Sequence, residues 1–184
     1  TEDIDYLCCI TSTGFLVPGL TALFIREFNF RPDCQRSDVV GMGCNAGLNG
    51  LNVATSWCSA NPGKYALLAC VEICSAIYSV DESENTALVN SLFGDGVAVT
   101  ILKAPQSTTP SPSGPRIQVL DFKSQINTDA FHALRFDWDD VKMRYRFHVD
   151  KKTPFYLAGM IKEPLEQLLA QHGLQQKDIK HWIL

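Results

Sequence analysis

Apolar residues fall along this chain in short unbroken runs, separated by longer stretches with a helical repeat. That alternation sets the expected elements. Asp5-Tyr6-Leu7-Cys8-Cys9-Ile10-Thr11 is apolar on both sides of a pleat, which predicts a fully buried strand. Gly14 and Pro18-Gly19 then mark a turn. An amphipathic stretch over 20–28 runs into the turn Asn29-Phe30-Arg31-Pro32-Asp33, and Ser37 to Met42 predicts a second apolar strand. From Asn45 to Ala60 the pattern is helical, with Asn61-Pro62-Gly63 as a strong stop. Lys64 to Val71 predicts a third strand, residues 84–93 a helix with Leu88, Val89, Leu92 and Phe93 on one stripe, and Gly96 to Leu102 a fourth strand.

Continuous apolar strands between helices imply a sheet covered on both faces, hence a layered α/β fold. Residues 104–115 are rich in Pro, Ser and Thr and read as a surface loop, because the pattern resumes at Ile117. Residues 116–126 and 142–149 alternate apolar and polar and predict two half-buried strands. A last helix is expected from Pro154 to Gln171, with Met160, Ile161, Leu165, Leu168 and Leu169 on its buried face. Pro164 should bend that helix or mark its start. No internal repeat is present.

Composition narrows the function classes. The 184 residues are 46% hydrophobic and 20% charged, enough for one good core. No run of ~18 apolar residues occurs, so no membrane span is predicted, and no signal peptide is visible. A net charge of -4 without a basic cluster argues against a nucleic-acid partner. Residues 1–102 carry 4 Lys and Arg against 11 Asp and Glu, while 103–184 carry 12 against 9. An ordinary solvated surface is the favoured reading of the second half, with a phosphate-meeting one as the alternative. Seven cysteines, with no Cys-x-x-Cys pair and no metal-ligand spacing, predict reduced thiols in a cytoplasmic protein and no metal. The chain opens on Thr1 and closes on the apolar Trp182-Ile183-Leu184, and a strand-like terminus of that kind predicts a longer parent.

Chemistry concentrates in Val39-Val40-Gly41-Met42-Gly43-Cys44-Asn45-Ala46-Gly47-Leu48-Asn49-Gly50. A strand enters a glycine-flanked turn and a helix of small residues starts at once. The Cys44 sulfur is thereby expected at a helix N-terminus, where free amides and the helix dipole favour the thiolate that attacks thioesters. Gly43 permits a strained turn, and Ala46, Gly47 and Gly50 let the helix lie close to its neighbours. A buried structural cysteine on a tight crossover fits the same pattern equally.

A second segment, Asn90-Ser91-Leu92-Phe93-Gly94-Asp95-Gly96-Val97-Ala98, ends a helix at a Gly-Asp-Gly turn and starts a strand. Gly-Cys-x-x-Gly at a helix start, followed about fifty residues later by Leu-Phe-Gly-Asp-Gly-x-Ala, resembles the condensing enzymes of the thiolase superfamily. The similarity is greatest to the type III polyketide synthases, the chalcone synthase group. It spans nearly the whole chain, weakly between 104 and 150. Gly-Cys-Asn-Ala-Gly-Leu-Asn-Gly-Leu and Val-Asn-Ser-Leu-Phe look more bacterial than plant, and resemble the 3,5-dihydroxyphenylacetyl-CoA synthases of glycopeptide-antibiotic pathways.

The resemblance implies a five-layer αβαβα thiolase-like fold. Residues 1–103 would end the N-terminal half, and 104–184 would supply a loop and the start of the C-terminal half. It implies an acyltransferase: decarboxylative condensation of malonyl-CoA units on a cysteine thioester, then cyclisation. Coenzyme A enters only with the substrate, no cofactor is needed, and the subunit forms a homodimer. Cys44 falls on the nucleophile and Phe93 on the gatekeeper aromatic between the coenzyme A tunnel and the cavity. Ser12, Thr13, Cys74 and Ile77 match cavity-lining positions, and Val17 falls where a loop reaches across the dimer. For Cys74, Ile77 and Val17, core packing is the competing reading.

Two departures matter. The family's catalytic His and Asn, which form an oxyanion hole, have no counterpart here. His132, His148, His172 and His181 read as solvated residues, and the family's His would follow Trp182-Ile183-Leu184. The N-terminal basic residues that grip coenzyme A phosphates are also missing, so the chain alone is expected to be inactive. Two alternatives stand beside the synthase: an initiating ketoacyl-carrier-protein synthase, which would need a basic docking patch, and a non-catalytic thiolase-fold scaffold.

Overall fold

The computed structural model describes residues 1–106 and 116–183, which form two units: Thr1–Tyr78 with Phe93–Val119, and Ser79–Leu92 with Leu120–Leu184. The surface loop read over 104–115 lies, from 107 onward, outside the described residues.

The first unit is organised by strand β1 (Ile4–Ile10), in which every residue but Asp5 is buried. It pairs in parallel with β2 (Gln35–Val39) on one side and β3 (Tyr65–Glu72) on the other. Strand β4 (Gly96–Lys103) joins β3 antiparallel, giving the order β2-β1-β3-β4. Because side chains alternate along a strand, β1 feeds two cores. Tyr6, Cys8 and Ile10 pack with Ala66 and Leu68 against helix α2 (Ala46–Ala60), through Ala46, Ala54 and Cys58. Leu7 and Cys9, with Ala69 and Val71, face helix α1 (Leu20–Glu27) through Leu20, Phe24 and Ile25. Burying a side chain such as Leu7 or Ile10 stabilises by about 2 kcal/mol. The Tyr6 ring stacks on Trp57 at 4.8 Å, and the Trp57 indole N–H donates to Gln35 Oε1 at 2.8 Å. Helix α1 has no capping side chain of its own. Asp38 on β2 supplies one, accepting from the Thr21 N–H at 3.0 Å and the Thr21 hydroxyl at 2.5 Å.

The second unit holds helix α3 (Glu84–Leu92), a hairpin of β5 (Leu134–Asp139) and β6 (Arg144–Val149), and helix α4 (Thr153–Gln171). Asn85 bridges α3 to β6, donating to the Phe147 carbonyl at 2.7 Å and accepting from the Val149 N–H at 3.0 Å. Asp81, just before α3, accepts from Lys142 at 2.9 Å and lies 3.4 Å from Arg144.

Several expectations need correction. Residues 116–127 form no regular element, and Ile117 and Ile126 are exposed, because the alternating pattern there has no partner strand among the described residues. The hairpin's first strand, β5, was not among the expected elements. Helix α4 starts at Thr153 and continues past Pro164, so that proline does not mark its start, and Ile161 on its expected buried face is exposed. Strand β2 ends at Val39, before the glycine turn. Finally, β4 is not covered on both faces, since Val97, Val99 and Ile101 are exposed.

Candidate active site

Gly41 and Gly43 hold φ of +77° and +64°, values that a side chain would strain, and this pair turns the chain out of β2. A 3₁₀ turn, Gly43–Asn45, follows and runs directly into α2. Cys44 sits in that turn and is the one exposed cysteine of the seven, which disposes of the buried structural reading. No side chain caps α2; its first amide, Ala46 N–H, donates to the Gly43 carbonyl through the 3₁₀ turn, and the positive end of the helix dipole lies beside the sulfur. Cys8 and Cys9 are the opposite case: burial pushes their thiols up to about 11 and about 12.

Hydrogen bonds gather most of the expected residues around this turn. The Ser12 hydroxyl donates to the Gly43 carbonyl at 3.3 Å, one residue from the sulfur-bearing position. The Ser12 N–H donates to Glu72 Oε1 at 2.8 Å, while the Ile73 N–H donates to the Thr13 hydroxyl at 2.9 Å. Strand β3 thus ends against the 11–13 loop, and a 3₁₀ turn, Cys74–Ile77, follows at once. Cys74 is half-buried, and burial raises its thiol, with Glu72 and Asp95 adding to the effect. Ile77 is exposed and Phe93 half-buried. The Ser75 N–H and hydroxyl donate to Asp95 at 2.8 and 2.7 Å, joining the Cys74–Ile77 turn to the one that follows Phe93. Cys44, Ser12, Thr13, Cys74, Ile77 and Phe93 are therefore linked within one unit. Val17 is not among them: it is fully exposed beside Phe15 and Leu16, which also removes core packing as its role.

Three polar residues of this network were absent from the expected site. Glu72 has one carboxylate oxygen on Ser12 and the other buried without a partner among the described residues. Its signal was available, since it is the lone charge at the end of an apolar strand. Asp95 stands inside the Leu-Phe-Gly-Asp-Gly motif, but neither it nor Ser75 shows a local sign of its partner, because a Gly-Asp-Gly turn explains itself locally. All four histidines belong to the second unit, where His132 packs edge-on against Tyr156 and His172 pairs with Asp121 at 3.2 Å. Among the described residues no His, Cys, Asp and Glu group is placed to hold a metal ion. An open hollow of about 400 Å³ in the second unit, lined by Asp137, Trp138, Asp139 and Arg146, contains none of the expected residues.

The family model described as FAE1/type III polyketide synthase-like protein matches residues 1–171. The chain belongs to that family. Among curated type III polyketide synthases, the 3,5-dihydroxyphenylacetyl-CoA synthase of Streptomyces toyocaensis is 48% identical over 100% of this chain and 47% of its own length. The enzyme of the same name from Amycolatopsis balhimycina is 47% identical, over 100% of this chain and 48% of its own length. The crystal structure of PKS-I from the brown alga Ectocarpus siliculosus superposes with a TM-score of 0.86 at 31% identity, covering 98% of this chain and 47% of that one. The fold is accordingly the thiolase-like α/β fold of type III polyketide synthases. The chain spans about half the length of the curated relatives it matches. No helix among the described residues is long and apolar enough to cross a membrane.

Proposed function

We propose that this protein is a cytoplasmic type III polyketide synthase that builds 3,5-dihydroxyphenylacetyl-CoA from malonyl-CoA on Cys44. The observation that carries the reading is the exposed Cys44 at the head of an uncapped helix, in a chain nearly half identical to two synthases of that product. The Cys44 thiolate attacks an acyl thioester carbonyl, the new C–S bond forms, and coenzyme A leaves as its thiol. Malonyl-CoA loses carbon dioxide to give an enolate whose carbon attacks the Cys44 thioester. That carbon–carbon bond replaces the bond to sulfur and returns the thiolate. Repetition and ring closure complete the product.

On this reading Phe93 guards the entrance to the cavity, and Ser12, Thr13, Cys74 and Ile77 shape it. Residues 1–103 end the first thiolase half, and 104–184 form the loop and the start of the second. Exposed Phe15, Leu16 and Val17 suit a loop that reaches into a second copy, making the working form a homodimer. Coenzyme A enters as part of the substrate, and no metal or bound cofactor takes part.

The test is intact mass spectrometry of the protein expressed from its complete reading frame, with and without malonyl-CoA, beside chromatography of the products. Wild type should carry an acyl adduct and release the aromatic thioester. Cys44→Ala should lose both, with product formation falling by at least about a thousandfold. Product formed by Cys44→Ala at the wild-type rate would sink the reading.

A further inference from the structure

Asp95 stands between two glycines directly after Phe93, where β4 begins, and its carboxylate is fully engaged. Oδ1 accepts the Ser75 backbone N–H at 2.8 Å and Oδ2 the Ser75 hydroxyl at 2.7 Å. These bonds and the backbone N–H of Cys74 hold its carboxyl below the usual carboxylate range. Ser75 lies inside the 3₁₀ turn Cys74–Ile77. The β3–β4 ladder ends at Glu72 opposite Gly96, so past that rung no strand pairing holds either segment. A two-pronged side-chain contact joins them there, and its geometry is that of a clamp.

We propose that the Ser75–Asp95 pair is a positioning device that fixes Phe93 against the Cys74–Ile77 turn and so keeps water from the growing thioester. The proposal rests on the synthase reading above. Phe93 is joined to Asp95 through Gly94 alone, and neither flanking glycine offers a side chain to limit its movement. With the clamp intact, the turn that follows Phe93 is tied to the Cys74–Ile77 turn. With the clamp open, that tie is lost and the turn after Phe93 shifts. Water then reaches the acyl carbon: its oxygen bonds to that carbon, the C–S bond breaks, the Cys44 thiol leaves, and an unfinished chain departs as a carboxylic acid.

The experiment compares wild type, Ser75→Ala, Ser75→Thr and Asp95→Asn, each from the complete reading frame, supplied with malonyl-CoA in ¹⁸O-labelled water. Mass spectrometry reads the ratio of short, ¹⁸O-bearing acids to cyclised product, and a thermal melt of each variant runs beside it. Loss of a hydrogen bond to a charged acceptor should raise that ratio about tenfold in Ser75→Ala. Asp95→Asn should raise it at least as much, because its amide turns a donor toward one of the two Ser75 donors. Ser75→Thr keeps the hydroxyl and should return the ratio to within about twofold of wild type. A wild-type ratio in Ser75→Ala, from an enzyme whose wild type makes the cyclised product, overturns the clamp and leaves the synthase reading intact. Wild type that makes no polyketide overturns both. Should Asp95→Asn not fold, Ser75→Ala decides alone, since it removes one hydroxyl from an exposed turn.

Discussion

Seven cysteines with one chemistry end up with different reactivities because of where each is held. Cys44 is exposed at a helix start, Cys70 and Cys74 are half-buried, and Cys8 and Cys9 lie inside the sheet. Burial raises the thiols of Cys8 and Cys9 well above the ordinary value near 9. With iodoacetamide at pH 8, Cys44 should label first, about tenfold or more ahead of the others by peptide mass mapping. Cys8 and Cys9 should label only when denaturant opens the sheet. The same shifts set the alkaline limit. A folded thiol with a raised pKa stabilises fully below pH 9, where both states are protonated, and that contribution is lost as pH rises toward 11 and 12. A pH series of chemical melts should therefore fall off above about pH 9. Even labelling of all seven cysteines in the folded protein would contradict this assignment.

Helix α2 joins the nucleophile to the core, and its small residues are not equivalent. A methyl added at Gly50 would lie 2.1 Å from Ile10 Cδ1 and 3.0 Å from Leu68 Cδ1, both in the packed core. One added at Gly47 would meet only the Cys70 sulfur, at an ordinary 3.7 Å. Gly50→Ala should therefore cost about 1–3 kcal/mol in a denaturant melt, whereas Gly47→Ala should be neutral or mildly stabilising. Equal effects would mean that the helix is not seated as described. From sequence alone both glycines are close-packing positions, because a small residue does not reveal which side of its helix is crowded. The elements themselves were legible in the first unit, where Tyr6–Ile10 and Ala66–Val71 are apolar runs long enough only for buried strands. The hairpin was harder. Leu134-Arg135-Phe136-Asp137-Trp138-Asp139 carries a clean period of two, while the similar alternation at 116–126 forms no strand, since periodicity does not say whether a partner edge is at hand.

For the molecule as a whole, legibility divides between the two units. The Cys44 turn, the 11–13 loop and Phe93 carry local motifs, and they belong to one unit whose hydrogen bonds connect them. Glu72, Ser75 and Asp95 join that network through bonds across twenty or sixty positions of sequence, and no local pattern reports such a pairing. The second unit depends more on charge. Its Asp81 carboxyl is held well below the usual range, first by Lys142 and then by Thr86 and the Ser83 N–H. A depressed folded pKa stabilises above the unfolded value near 4, and the contribution fades as pH falls through the folded value. Asp81→Asn should lower the melting temperature by a few degrees at pH 7. The gap from wild type should narrow steadily below pH 4. Hydrogen exchange should find the loss in α3, β5 and β6 and leave the four-stranded sheet protected; a gap unchanged at acid pH would count against the assignment.

Strand β1 has one further consequence. In a strand with one wet face, sliding by a residue would drown its apolar set, and polarity alone would hold the alignment. Here both faces are dry, so the same slip would only exchange the two cores, and water would be indifferent to it. What tells the correct alignment from its neighbour is size: the Tyr6 ring needs the platform of Trp57, and the adjacent cysteines are small enough to fit under either helix. The register at the centre of this protein is written in volumes.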